Sequence, residues 1–278
     1  MSLGTILVTL DGTTLNDNRC ELARALALKH QAHLVALANI RPIDLPQGLS
    51  SAFSQDVART FHDTRDEVAR QWCDAFEERT RDYGLRSFET RVGRGEPADV
   101  LRTQAHYTDL IIVSQPEEKP QPSSYPEDAL IDLVMSGGRP VLFVPHSGLY
   151  VKPFERALIA WSAAPESQRA ISDALPLLRA CRHVDVIVIN PSDGRGRHGE
   201  VPGADLSLYL ARNGLNVELH IVPSEIRIGE EILSRASDYG SDLLVMGCFG
   251  HSRMRELLTG GTSLTLLRTM TLPVLFSH

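Results

Sequence analysis

Two pairs of segments in this 278-residue chain match each other at one fixed distance. Asp109-Leu110-Ile111-Ile112-Val113 stands beside Asp242-Leu243-Leu244-Val245-Met246, and Pro140-Val141-Leu142-Phe143 stands beside Pro273-Val274-Leu275-Phe276. Both pairs are offset by 133 positions (242 − 109 and 273 − 140). One shared tetrapeptide arises easily by chance; two matches held at the same interval mean a duplicated unit. The beginnings of the two halves also correspond. The run from Thr5 to Asp11 resembles the run from Arg156 to Ser162, and each leads into an apolar helical pattern, with Cys20, Leu22, Ala23 and Leu26 in one half and Ile171, Leu175 and Leu178 in the other. Here the offset is 151 (162 − 11), so the first half holds extra residues in its middle, and residues 41–59 are the place expected for them.

The strands read as continuous Val, Ile and Leu runs, as parallel strands covered on both faces do. Helical patterns at residues 56–81, 97–106, 127–135, 229–239 and 255–269 separate them. Alternating strand and helix implies right-handed crossovers and an open, doubly wound sheet. The expected fold is therefore α/β: two tandem Rossmann-like domains, each a five-stranded parallel sheet with helices on both faces. Their expected bounds are residues 1–147 and 154–278, joined near Gly148 and Pro153. The length suits two domains of ordinary size. In such sheets ligands sit beyond the carboxyl ends of the strands, where the strand order reverses.

At that position in the second half lies Gly247-Cys248-Phe249-Gly250-His251-Ser252-Arg253, followed after Thr259 by Gly260-Gly261-Thr262-Ser263. The spacing is G-x2-G-x9-G-G. Glycines at a strand end let backbone N–H groups approach a phosphate closely. A helix opening at Thr262 would add unpaired N–H donors and a partial positive charge. Thr262 and Ser263 supply hydroxyls, and Arg253 or Arg255 could neutralise charge. A lone G-x-x-G is more simply a turn kept for its geometry. The full spacing, at a strand's carboxyl end in this sheet type, points to nucleotide binding.

With these residues the whole chain resembles the universal stress protein family in its tandem two-domain bacterial form, whose domains are adenine nucleotide alpha hydrolase-like. Gly261 stands where that family's motif usually has Ser or Thr, with Thr262 and Ser263 next. The resemblance implies ATP, with or without magnesium, as ligand, a role in stress resistance, and association through the last strand, giving an intrachain pseudo-dimer and leaving a homodimer open. The cofactor-binding residues it implies are Ala160, Trp161, Ser162, Ile189, Met246, Gly247, Gly250, His251, Ser252, Arg253, Gly260, Gly261, Thr262 and Ser263. ATP-binding members end the first strand on an Asp; Asp11 fills that place in the first half and an uncharged Ser162 in the second. The first half lacks the motif. At the 133 offset Gly247, Gly250, Gly260 and Gly261 become Ser114, Glu117, Glu127 and Asp128. Three acids would face the phosphates, so the first half is read as a degenerate partner domain.

Other classes fit less well. The formal net charge of −7 provides no global field for nucleic acid. The four cysteines are widely spaced, which disfavours zinc ribbons and disulfide frameworks. No leader pattern or membrane-length apolar run stands out, so a cytoplasmic protein is expected. Ser136-Gly137-Gly138 runs on into Arg139-Pro140 and reads as a turn. His30 and His33 read as solvated rather than metal-binding, Cys248 as a buried inert thiol, and residues 193–199 as a mobile loop. No catalytic constellation stands out, so at most slow ATP hydrolysis or autophosphorylation at Thr262 or Ser263 is expected. Two functional classes stay open: an ATP-binding regulatory protein, and a scaffold or binder of a non-nucleotide ligand with an empty glycine loop.

Overall fold

The computed structural model describes residues 2–13, 16–42, 55–117, 123–191, 201–250 and 261–278, without the side chains of residues 55–59, 61 and 62. The first half runs β1 (Thr5–Leu10), α1 (Asn16–His30), β2 (His33–Ile40), α2 (Gln55–Asp82), β3 (Phe88–Arg94), α3 (Pro97–Ala105), β4 (Leu110–Ser114), α4 (Glu127–Ser136) and β5 (Val141–Val144). The second runs β6 (Arg156–Ala160), α5 (Pro165–Leu178), β7 (His183–Ile189), α6 (Ala204–Arg212), β8 (Val217–Val222), α7 (Ile228–Asp238), β9 (Leu243–Gly247), α8 (Thr262–Thr269) and β10 (Val274–Ser277).

All ten strands lie in one sheet of order β3-β2-β1-β4-β5-β10-β9-β6-β7-β8. Read outward from the centre, each half repeats the same order, last strand first. Every pairing within a half is parallel. The halves meet at β5 and β10, which pair antiparallel with Val274 beside Phe143 and Phe276 beside Val141. Phe143 and Phe276 pack edge to face across this seam, with ring centroids 5.6 Å apart. Each half thereby covers the exposed edge of the other's last strand.

The strand runs are continuous because both sheet faces are buried. In β1, Ile6, Val8 and Leu10 enter one core and Leu7 the other. Each core crosses the seam: Leu142 and Leu275 share the first, Phe143 and Phe276 the second. Strands β3 and β8 lie at the two outer edges, half exposed, with polar residues interleaved. The surplus of the first half extends beyond the stretch 41–59 into helix, since α2 has 28 residues against 9 in α6. Residues 43–54 of that stretch, like the loop 193–199, lie outside the described residues.

Candidate functional site

β6, β7 and β9 end together on one side of the second half, and α5 and α8 begin there. Between them lies a cavity of about 380 Å³. Its walls include Ala160, Trp161, Ser162, Ile189, Met246, Gly247, Gly250, Thr262 and Ser263 from the sequence-derived set. Ile187, Val188, Ile228 and Ile232 add apolar wall. Gly261 is the N-cap of α8, with extended backbone and no side-chain cap. The first bond of that helix is Thr265 N–H to Gly261 C=O at 3.0 Å. The N–H groups of Thr262, Ser263 and Leu264 therefore precede the helical ladder, as at any helix N-terminus. His251, Ser252, Arg253 and Gly260 lie outside the described residues, as does the start expected for the last helix at residue 255.

The rim is built from unusual backbone. Ala163, Asn190 and Phe249 adopt left-handed conformations at φ 53°, 46° and 55°. Such residues cost about 1–3 kcal/mol each unless their surroundings hold them. Asn190 is held by reciprocal 2.8 Å bonds, its Nδ2 donating to Ser224 C=O and its Oδ1 accepting from Ser224 N–H. Phe249 is held by its N–H donating to Ser263 Oγ at 3.2 Å. That bond ties the end of β9 to the first turn of α8.

Gly247 has a packing reason of its own. A Cβ there would lie 2.3 Å from both Glu166 C and Ser167 N, backbone atoms of the first turn of α5. No side chain fits while α5 sits this close to β9. At Gly250 a Cβ would come within 2.8 Å of Glu166 Oε2. The Glu166 carboxylate thus stands in the cavity wall beside the glycine loop, a residue that no sequence motif singles out. Ser162 Oγ lies 3.0 Å from Ser167 Oγ, which accepts from Ala164 N–H at 3.2 Å at the start of α5. Cys248 is buried and donates its S–H to Ser277 C=O at 3.5 Å.

The equivalent place in the first half is filled. Only about 10 Å³ remains among Asp11, Arg19, Ser114, Tyr125 and their neighbours. Arg19, with no exposed surface, donates from Nε to Thr9 C=O at 2.8 Å and from NH2 to Asp11 Oδ2 and Asn16 Oδ1, each at 3.0 Å. Its NH1 donates to Ser114 Oγ. Ser114 corresponds to Gly247 at the 133 offset, and Arg19 corresponds at the 151 offset to Ala170 (170 − 19), which is buried in α5. A guanidinium thus occupies the space that a small residue leaves free in the second half. The acids at the other mapped positions are otherwise engaged than expected. Glu127 pairs with Arg268 of α8, at 2.7 and 3.0 Å, and Asp128 accepts from Ala129 N–H at 2.9 Å. Glu117 alone of the three borders the residual cavity.

The carboxyl-terminal part of the chain, residues 153–278, matches the model of the universal stress protein family. A universal stress protein of Synechocystis, Slr1230, is 36% identical over 83 residues, covering 29% of this chain and 29% of that relative's length. The fold of a universal stress protein from Archaeoglobus fulgidus superposes with a TM-score of 0.73 over 98% of this chain and 95% of that one, at 15% identity. A functionally unknown protein from Pseudomonas aeruginosa superposes at 0.57 over 99% and 92%, at 18% identity. The match to the universal stress protein family model therefore lies in the second half of the chain. The fold is the expected α/β arrangement with a large, mostly parallel sheet. Among the described residues no helix is long and apolar enough to cross a membrane.

Proposed function

We propose that this chain is a cytoplasmic stress-response regulatory protein of two tandem domains, residues 1–147 and 154–278, that holds ATP in the second domain only. One observation carries the reading. The cavity at the strand ends is about 380 Å³ in the second half and about 10 Å³ at the equivalent place in the first. The larger volume lies within the roughly 300–1,000 Å³ usual for small-molecule sites. The apolar wall of Ile187, Ile189 and Met246 suits a base. The N–H groups of Thr262 and Ser263 suit a phosphate, with the helix dipole adding attraction. Magnesium, if it accompanies the nucleotide, enters with the phosphates. Because Phe249 and Ser263 tie β9 to α8, and α8 leads into β10, a ligand here bears on the strand that forms the seam. The site acts as a sensor, with slow hydrolysis or autophosphorylation as the most that its groups support, and association of whole chains into a homodimer belongs to the same reading.

A second reading rests on Glu166. Its carboxylate beside Gly250 opposes a polyphosphate and favours an uncharged ligand, so that the glycine loop stays free of phosphate. Calorimetric titration with ATP and with adenosine, alongside mass spectrometry of small molecules released by heating the purified protein, separates the two. The ATP reading expects one ATP per chain, with Gly250→Glu weakening it at least a hundredfold in a protein of unchanged circular dichroism. Tighter binding of adenosine than ATP supports the second reading. Two ATP per chain, or undiminished ATP affinity in Gly250→Glu, overturns the first.

A further inference from the structure

A group of nitrogen and oxygen ligands lies at the other end of the second-half strands. β7 and β8 pair in parallel, with Asp185 beside Glu218 and Ile187 beside His220. Side chains alternate along a strand, so His183, Asp185, Glu218 and His220 share one sheet face. The cavity begins at Ile187, two residues and about 7 Å along the strand from Asp185.

Asp185 has no exposed surface. Burial raises its pKa, but hydrogen bonds from Arg156 and His220 outweigh this and hold the carboxyl below its ordinary value. Arg156 grips it with Nε to Oδ2 at 2.8 Å and NH2 to Oδ1 at 3.2 Å. His220 Nε2 lies 2.9 Å from Oδ1, and its ring stacks on Tyr239 with centroids 4.3 Å apart. Asp185 is therefore held from two sides, with its Oδ1 turned toward His183.

His183 does not close onto its neighbours. Its Nε2 is buried and makes no hydrogen bond. It stands 3.4 Å from Asp185 Oδ1 and 3.6 Å from Glu218 Oε2. An ion-pair network would bring these atoms to roughly 2.7–2.9 Å. Two ligands of one tetrahedral zinc, each at about 2.0–2.1 Å, sit about 3.3 Å apart. One nitrogen and two carboxylate oxygens, all within 4.8 Å of one another, fit that spacing. Charge agrees as well: Asp185 and Glu218 outweigh Arg156 by one negative charge, and a dication reverses it. On the far side of the ring, His183 Nδ1 lies 3.2 Å from the Asn216 amide. Turning that amide lets its oxygen accept from Nδ1–H and leaves Nε2 free to ligate, at the loss of the 3.4 Å bond that Nδ2 donates to Arg182 C=O.

We propose that His183 Nε2, Asp185 Oδ1 and Glu218 Oε2 form a site for a divalent transition-metal ion of the zinc type. Arg156 and His220 act as positioning residues that fix Asp185, and water completes the coordination. The three ligands share no residue with the lining of the nucleotide cavity.

The test is calorimetric titration of tag-free, chelator-treated full-length protein with zinc chloride, with cobalt(II) absorption as the geometric readout. The expected result is one zinc per chain and intense visible cobalt bands. His183→Gln and Glu218→Gln should each weaken zinc at least tenfold and together remove the cobalt bands. His220→Gln should weaken zinc by about ten- to a hundredfold, as outer-shell partners of a metal do. Both ligand variants change partly exposed side chains, and circular dichroism checks their fold. A His30→Gln, His33→Gln double variant should bind like the parent. Absence of zinc binding, or zinc affinity unmoved by His183→Gln and Glu218→Gln, overturns the proposal.

Discussion

Arg19→Met tests whether a buried guanidinium fills the first-half site. Methionine keeps the length and apolar character of the stem but removes every donor. Four acceptors lose a partner: Thr9 C=O, Asp11 Oδ2, Asn16 Oδ1 and Ser114 Oγ. The largest loss is at Asp11, which is 3% exposed and paired with Arg19 at 3.0 Å. Breaking a buried pair by removing one partner costs about 3–5 kcal/mol, chiefly because the other charge stays buried and unpaired. For a folding unit of this size, 1 kcal/mol corresponds to about 2–4 °C, so a fall in Tm of about 6–20 °C is expected. The double variant Asp11→Asn, Arg19→Met removes the stranded charge as well. It should recover about 1–3 kcal/mol relative to Arg19→Met, a coupling within the range for residues in direct contact. Urea unfolding followed by tryptophan fluorescence measures all four corners of the cycle, since Trp72 reports from the first half and Trp161 from the second. A loss below 1 kcal/mol in Arg19→Met, or a double variant no more stable than the single, would refute the idea that this ion pair holds the first-half site shut.

Gly247→Ala should destabilise the protein by about 1–3 kcal/mol or more through overpacking, because the new Cβ meets the backbone of Glu166 and Ser167, and denaturant unfolding measures it. Ser114, at the corresponding place in the first half, should accept alanine at smaller cost than Gly247 does, because a side chain already fits there. Thiol labelling provides a separate check. Burial pushes the Cys20 thiol up to about 11 and the Cys181 thiol up to about 12, so at pH 8 their thiolate fractions are on the order of 10⁻³ and 10⁻⁴. Cys73 is shifted the same way and Cys248 is buried. Iodoacetamide at pH 8 should label all four thiols in urea and none at a comparable rate in the native protein; rapid native labelling of Cys20 or Cys181 would contradict these low thiolate fractions.

Much of the architecture was legible from local pattern. A parallel strand covered on both faces is apolar at every position, so β1, β2, β4, β6, β7 and β9 stand out as uninterrupted runs. The same logic failed at the sheet edges. β3 carries Glu89, Arg91 and Arg94 in seven residues, and β8 carries Glu218 and His220 in six. One face of each meets water, and no single residue run marked them as strands. The position of the glycine loop at a strand's carboxyl end followed from the same periodicity, whereas the packing demand on Gly247 depends on how closely α5 approaches β9.

By itself, then, the sequence determined the alternation of strand and helix, the parallel character of the strands and the position of Gly247 and Gly250 at a strand's carboxyl end, because all three are written in spacing and in the period of apolar residues. The tertiary structure alone decided what happens where distant segments meet. Charge pattern assigns an arginine to the surface, yet Arg19 is buried because Thr9, Asp11, Asn16 and Ser114 converge on it from two strands and a helix start. His183 and Asp185 lie 35 residues from Glu218 and His220, and only the β7–β8 register brings the four to one face. Glu166 reaches the cavity only because α5 packs against β9. Each of these depends on a register or a close approach between elements, and neither quantity is encoded in the periodicity of any single segment.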